Sequence, residues 1–299
     1  MTREMAAESR HLASGESRQN SPRATLDGVA GRETQALMLL ADFRYLTRFQ
    51  IEEFLFEATP VRAGSKQVIT RRILSRLEER AVIAPIARLA AGLNGGSGRL
   101  VYGLTRVGER LVHSIQSAPR AARTTQRTAF LMKHSLATAE VALAFQRCAR
   151  AHLGHEVPLW ECEWRPSNQV GSCPVVPDAH VVYRTPEYEL EAFIEVDLGT
   201  ERPGFFAAKM NSYLSLYRSG VWRGQLASWP VVLTVASDDV RAGILSRVTD
   251  ATFKAESMEA EIRQATEFRF TTLVRLQRLT GALGEVWPAA GLERAVEGA

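Results

Sequence analysis

The chain has no apolar run approaching the ~20 residues that a helix needs to cross a bilayer. Its N-terminus also lacks the apolar core that directs secretion. The expected location is therefore the cytoplasm, with no membrane partner. Cysteine is scarce: Cys148, Cys162 and Cys173 form no paired framework and suit a reducing compartment. Cys148, His152, His155 and Cys162 do not follow the spacing of a common zinc motif. Gly95-Gly96-Ser97-Gly98 is not followed by the Lys-Ser/Thr of a phosphate loop, and no dinucleotide fingerprint occurs. No His-x-His cluster stands ready to hold a metal beside a tyrosine nucleophile, so Tyr213 and Tyr217 read as helix packing. Membrane, disulfide-scaffold and nucleotide-binding classes are set aside.

What remains is an ordinary globular composition. The 299 residues are 45% hydrophobic and 23% charged, enough for a substantial core and two domains. Net charge is only +4, but it is unevenly spread. Residues 99 to 133 hold seven basic side chains (Arg99, Arg106, Arg110, Arg120, Arg123, Arg127, Lys133) against one acid, Glu109. That bias is a footprint for a polyanion or the mark of an arginine-rich linker.

Residues 1–30 show no periodicity and read as a disordered tail. From Glu33, Ala36, Leu37, Leu39, Leu40 and Phe43 predict a helix, and Thr47 caps a second over Arg48 to Phe56. Ser65 is expected to cap a third through Arg80, with Val68, Ile69, Ile73, Leu74 and Leu77 inward and Lys66, Arg71, Arg72, Arg76 and Arg80 outward. Strands over Val82–Leu89 and Arg99–Leu104 flank a glycine-rich connection.

Beyond a basic linker at 117–129 the densest chemistry lies in a hairpin. Residues 179 to 185 and 189 to 197 are β-rich, with Thr185-Pro186-Glu187-Tyr188 as the turn. Centring the hairpin between Pro186 and Glu187 pairs Asp178 with Glu195, whose Cβ atoms then stand roughly 5 Å apart, near enough to share a hard cation. Period 2 places Asp197 on the face of Glu195, and Ala192, Ile194 and Val196 on the other, so one face is expected to be core and the other chemistry. A helix over Phe205 to Ser219 follows, with Lys209 at the edge of its apolar stripe, where its stem can carry the ammonium toward the carboxylates. Val231 to Ala236 read as a buried central strand, Asp238-Asp239 begin a helix to about Val248, and Phe268 to Leu273 form a last strand. This order gives an α/β sandwich.

The glycine-rich connection and Tyr102-Gly103-Leu104-Thr105-x-x-Gly108 resemble the wing and closing strand of a winged helix-turn-helix domain. That resemblance implies DNA contact by Lys66, Arg71, Arg72 and Arg76 on the third helix and Arg99 at the wing base. Pro177-Asp178, Glu195-Val196-Asp197 and the elements beyond resemble a restriction-endonuclease-like core. Together with His134 and Lys209-x-x-x-Tyr213, they make the chain from about 33 to 273 similar to the plasmid replication-relaxation family, including MobC-type mobilisation relaxases. The implied fold is α+β, a winged helix at 31–116 followed by a nuclease-like α/β sandwich at 130–280, with a tail at 281–299.

Family likeness implies a metal-dependent cut in DNA without a tyrosine nucleophile. Asp178, Glu195 and Asp197 would hold Mg²⁺ or Mn²⁺, Lys209 would orient phosphate or water, and Glu140 would support from the preceding helix. The usual nuclease triplet carries lysine where this chain has Asp197. Expected partners are double-stranded DNA, other mobilisation or replication proteins, and a second copy of the chain. Two alternatives stay open: a non-catalytic replication or transcription regulator whose second domain serves dimerisation, and a partner-binding protein that does not touch DNA.

Overall fold

The structure, a computed structural model, describes residues 31–56, 62–89, 99–115, 129–163, 175–199, 201–226, 228–255, 262 and 266–278. It is a mixed α+β protein with two sheets. The N-terminal unit begins with α1 (Gly31–Phe43), β1 (Tyr45–Thr47), α2 (Arg48–Leu55) and α3 (Ala63–Glu79). It continues through β2 (Ile83–Arg88), β3 (Leu100–Leu104) and α4 (Arg106–Ile115). The strands pair antiparallel in the order β1-β3-β2.

Local signals explain most boundaries. Thr47 and Gln50 form a reciprocal capping box, Thr47 Oγ1 accepting from the Gln50 amide at 3.3 Å and Gln50 Oε1 from the Thr47 amide at 3.1 Å. Thr105 Oγ1 accepts from the Gly108 amide at 3.1 Å and so opens α4. Gly108 has its own reason to be glycine, since a Cβ there would fall on the Val82 carbonyl oxygen.

Two expectations about α3 change. The helix starts at Ala63 rather than after Ser65, with Arg62 at its N-cap. Val68 is exposed, and Thr70 occupies the buried position instead, its hydroxyl donating to the Lys66 carbonyl at 2.9 Å. The β1 strand is a further difference: three residues between two helices are too few to show periodicity.

A long alanine-rich helix, α5 (Ala129–Ala151), belongs to both halves of the molecule. Ala139 and Ala142 pack into the N-terminal core with Leu37, Leu46 and Ile51. Ala137, Val141, Ala144 and Phe145 face the larger sheet. Small side chains let one helix lie close to two neighbours, and most residues from Ser135 to Ala149 are buried, with Leu136, Glu140 and Arg147 on a partly exposed stripe. Gln50 Nε2 donates to the Leu136 carbonyl at 2.9 Å, adding a polar tie.

The larger sheet has the order β4-β5-β6-β7-β8, built from β4 (Glu156–Cys162), β5 (Ala179–Arg184), β6 (Glu189–Asp197), β7 (Val231–Ala236) and β8 (Phe268–Thr272). The β4-β5-β6 pairs are antiparallel, whereas β6-β7-β8 run parallel through α6 (Pro203–Ser219) and α7 (Asp239–Ala255). The short α8 (Leu273–Gln277) follows β8 and returns to α5. Phe193, Phe206, Met210, Tyr213 and Leu245 form the core on one side of the sheet; Ala192, Ile194, Val196 and Phe145 form it on the other. Both faces are therefore core, which corrects the expectation of one apolar and one chemical face. The chemistry is confined to the end of the sheet. The α7 helix also runs about two turns beyond the expected Val248, to Ala255.

No helix among the described residues is long and apolar enough to cross a membrane. The tails at 1–30 and 281–299, the glycine-rich connection at 90–98, linker residues 117–128 and Cys173 lie outside the described residues.

Candidate functional site

The hairpin fixes the site. Thr185 Oγ1 accepts from the amides of Glu187 and Tyr188, at 3.1 and 3.0 Å, and this turn sets the register Ala179↔Ile194. One step further along, Asp178 stands opposite Glu195, its amide donating to the Ile194 carbonyl at 3.0 Å.

Asp178 lies at a bend just before β5 and takes partners from its own sheet and from α5. Its Oδ2 accepts from the Val196 amide at 2.8 Å and contacts His134 Nε2 at 3.1 Å. Glu195 turns instead to α6: Oε2 meets Lys209 Nζ at 2.8 Å and Oε1 accepts from the Tyr213 hydroxyl at 2.5 Å. Lys209 and Tyr213 are one helical turn apart, so α6 presents both to one carboxylate. The two acids thus lean to different layers at the end of the sheet, within reach of one another's charge.

Burial pushes the Glu195 carboxyl up to about 7, reinforced by the charge of Asp178 and opposed by Lys209 and Tyr213. Burial works the same way on Asp178, but the charge and hydrogen bond of His134, with Lys209 and the Val196 amide, outweigh it and hold its pKa below the ordinary carboxylate range. Burial disfavours charged His134 as well, and Asp178 and Glu195 override it, so the imidazole sits above its ordinary value. Burial opposes charge on Lys209 too, but Glu195 and Asp178 raise its pKa, and the ammonium stays protonated.

Asp197 does not join this group. Arg241 of α7 grips it with both arms, Nε to Oδ1 at 2.8 Å and a terminal nitrogen to Oδ2 at 2.7 Å, and the Gly199 amide adds a bond at 2.7 Å. Asp197 is buried and engaged in this bidentate pair, apart from the expected ligand group with Asp178 and Glu195. Glu140 is likewise bound elsewhere, to Arg147 at 2.7 Å. Among the described residues no group of three or more His, Cys, Asp or Glu side chains is arranged to hold a metal ion. That statement covers Cys148, His152, His155 and Cys162; Cys148 and His155 instead bond to the Tyr183 hydroxyl.

The basic residues of α3 divide. Arg71 and Arg72 are exposed. Arg76 and Arg80 reach back to buried Glu33 of α1, at 3.4 and 2.9 Å, so Arg76 is less free than its spacing suggests. Lys66 lies 6.0 Å over the Phe56 ring. Arg99 stacks on Phe49 at 5.2 Å, and Arg48 lies 4.2 Å from the same ring.

Sequence reasoning missed Arg241 and the hydrogen-bonding role of Tyr213. The second had a signal, the four-residue step from Lys209. The first had none, because Arg241 lies 44 residues from its partner.

A family model described as replication-relaxation matches residues 37–232, well over half of the 299 residues. The chain belongs to the replication-relaxation family. The match runs from α1 to β7 and includes His134, Asp178, Glu195, Lys209 and Tyr213 but not Arg241. No curated protein matches this replication-relaxation protein. Among solved structures it is similar to the restriction endonuclease FokI, with 10% identity and a TM-score of 0.28, over 83% of this chain and 43% of that one. The replication-relaxation chain thus spans less than half the length of that structure.

Proposed function

We propose that the protein is a DNA-binding protein of plasmid or mobile-element replication or mobilisation, whose larger domain makes a metal-dependent nick in DNA. The observation that carries this reading is that Lys209 pairs with Glu195 at one end of a buried sheet, within electrostatic reach of Asp178. Membership of the replication-relaxation family supports a role in replication or DNA processing, and the N-terminal order of helices and antiparallel strands supports reading that unit as a winged helix. On this reading α3 enters the major groove with Arg71 and Arg72 foremost, and Arg99, Lys66 and Arg76 contribute charge at its margins.

The donor set at the sheet end is compatible with Mg²⁺ or Mn²⁺. Asp178 and Glu195 would supply hard oxygen ligands, and Mg²⁺ is commonly held by one or two carboxylates with phosphate and water completing the shell. Such an ion, when bound, lowers the pKa of water and stabilises charge on phosphate. The chain's own groups have separable tasks. Lys209, firmly protonated, neutralises phosphate charge and does not act as a base. Tyr213 fixes the orientation of Glu195, and His134 together with the Val196 amide fixes that of Asp178. Burial of the carboxylates strengthens every charge interaction made there.

A second reading has its own support. Both oxygens of Glu195 already have protein partners, Asp197 is tied to Arg241, and no ready group of three ligands occurs among the described residues. These facts favour a regulator that binds DNA and uses the larger domain to dimerise or to meet other replication proteins. Supercoiled plasmid with Mg²⁺ or Mn²⁺ separates the two. Nicking that disappears in Asp178→Ala and Glu195→Ala supports the nuclease; binding without nicking supports the regulator.

A further inference from the structure

A cleft opens where the N-terminal unit meets this site. Asp42, Arg44, His134, Thr138, Glu163 and Asp178 are among the residues that line it, and it holds about 340 Å³ of empty space including its open mouth. Two of these residues carry a backbone that side chains rarely adopt: φ is 66° at Arg44 and 55° at Glu163. Among the described residues Ala81 is the only other non-glycine residue with positive φ. Arg44 stands just past the end of α1, its amide closing on the Leu40 carbonyl at 2.9 Å, a position that helices usually give to glycine or asparagine. Glu163 is anchored through its amide to the Asp178 carbonyl at 3.1 Å.

These two strained residues face one another across 119 positions of sequence, joined by a 2.8 Å ion pair. The pair engages one terminal nitrogen of the guanidinium. Its Nε is buried and has no hydrogen-bond partner among the described residues. A planar guanidinium donates in a fork that matches two oxygens of one phosphate. Here the fork is half used, and its occupant is a carboxylate with about a third of its side chain in solvent. Strain held by surrounding structure at a cleft of this kind marks a site where a side chain is being aimed.

We propose that the cleft takes a phosphodiester group of the DNA backbone, with Arg44 as its anion-binding residue and Glu163 as the internal carboxylate that the phosphate displaces. The N-terminal unit then supplies part of the site built on the larger sheet, so that docking on DNA and engaging the scissile region are one event. This rests on the DNA-processing reading above and adds to it a residue and a ligand position. Glu163 gives up Arg44 when displaced, and Arg44 keeps the same number of charge-assisted bonds or gains one.

The test exploits opposite signs. Full-length protein is titrated into a short fluorescent DNA duplex in EDTA, with affinity read by anisotropy and folding by thermal melting. Arg44→Gln is expected to weaken binding about tenfold, the loss of a charge-assisted contact. Glu163→Gln is expected to tighten binding while leaving thermal stability equal or lower, and Arg44→Gln/Glu163→Gln should bind like Arg44→Gln alone. A merely structural ion pair would give the reverse, weaker binding in both single variants in proportion to lost stability, and that result overturns the proposal. So does unchanged affinity in folded Arg44→Gln. Arg71→Ala/Arg72→Ala separates this inference from the reading beneath it. If that variant weakens binding and Arg44→Gln does not, the cleft assignment falls and DNA docking stands. If wild-type protein binds no DNA, both fall.

Discussion

Glu195 and Lys209 form a 2.8 Å ion pair in which the carboxylate is almost wholly buried and the ammonium keeps about a quarter of its side chain in water. Removing one member of such a pair leaves a charge without its partner. Glu195→Ala is therefore expected to destabilise the fold by about 2–4 kcal/mol, less than a fully buried pair because Lys209 is partly hydrated. Glu195→Gln should be milder, since it still accepts from Tyr213. The pH dependence follows from the raised pKa. A carboxyl lifted from 4.5 to about 7 contributes stability below pH 4.5 that is lost as pH rises through about 7. Urea titrations across pH 4.5 to 7 should show that slope in wild type and a flatter one in Glu195→Gln; equal slopes would remove Glu195 from the account.

The hairpin that places these residues was legible because its turn chemistry is local. Thr185, Pro186, Glu187 and Tyr188 specify a turn, the turn specifies the register, and the register sets Asp178 against Glu195. The helix start at Thr47 was legible for the same reason. What could not be read were pairings between distant stretches: Asp197 with Arg241, Glu33 with Arg76 and Arg80, and Arg44 with Glu163. Period 2 states which face a side chain leaves from, and on that point Asp197 behaves as its spacing predicts. It cannot state which helix will stand above it. The expectation of a chemical face failed because the parallel β6-β7-β8 region is covered by helices on both sides, as parallel strands generally are.

His134 provides a direct readout of Asp178. In metal-free buffer its imidazole should titrate above the ordinary 6.5, because Asp178 and Glu195 together outweigh burial. A histidine whose pKa is raised contributes stability below its unfolded value that disappears as pH rises through the folded one. Asp178→Asn removes the principal upward pull and leaves burial, so the His134 pKa should drop below 6.5. Proton NMR of the imidazole resonances measures both. A His134 that titrates identically in the two proteins would sink the assignment of this contact.

Asp197 and Asp178 should separate in their effects on Mn²⁺. Calorimetric titration is expected to show lost affinity in Asp178→Ala. Asp197→Leu paired with Arg241→Leu, which removes the buried charges together, should retain it. The single Asp197→Ala variant should instead be destabilised, because it leaves the Arg241 guanidinium buried without its carboxylate. Loss of Mn²⁺ affinity in the folded double variant would return Asp197 to the ligand set.

Gly108 tests the junction of α4 with the N-terminal sheet. A methyl group there would meet the Val82 carbonyl, a backbone atom that also receives the Thr105 amide at 3.0 Å and so cannot move freely. Gly108→Ala is expected to lower stability by about 1–3 kcal/mol despite the better helix propensity of alanine. Denaturant unfolding checks the sign; a stabilised variant would show that the close approach is absent in solution.

Arg71 and Arg72 carry the electrostatic part of the DNA reading because they are exposed on α3, whereas Arg76 is partly engaged with Glu33. Each phosphate contact releases condensed counterions, so affinity for duplex DNA should fall linearly on a log–log plot against salt, by about 0.9 in slope per contact. Arg71→Ala and Arg72→Ala are each expected to reduce that slope by about one without changing the melting temperature, and Arg76→Ala to do so less while lowering stability. The difference follows from Glu33: deleting Arg76 leaves a buried carboxylate with Arg80 as its remaining partner, while deleting Arg71 or Arg72 disturbs nothing in the core. Identical salt slopes in wild type and both outer variants would mean that α3 does not face the phosphate backbone, and the DNA-binding surface would have to be sought elsewhere on the molecule.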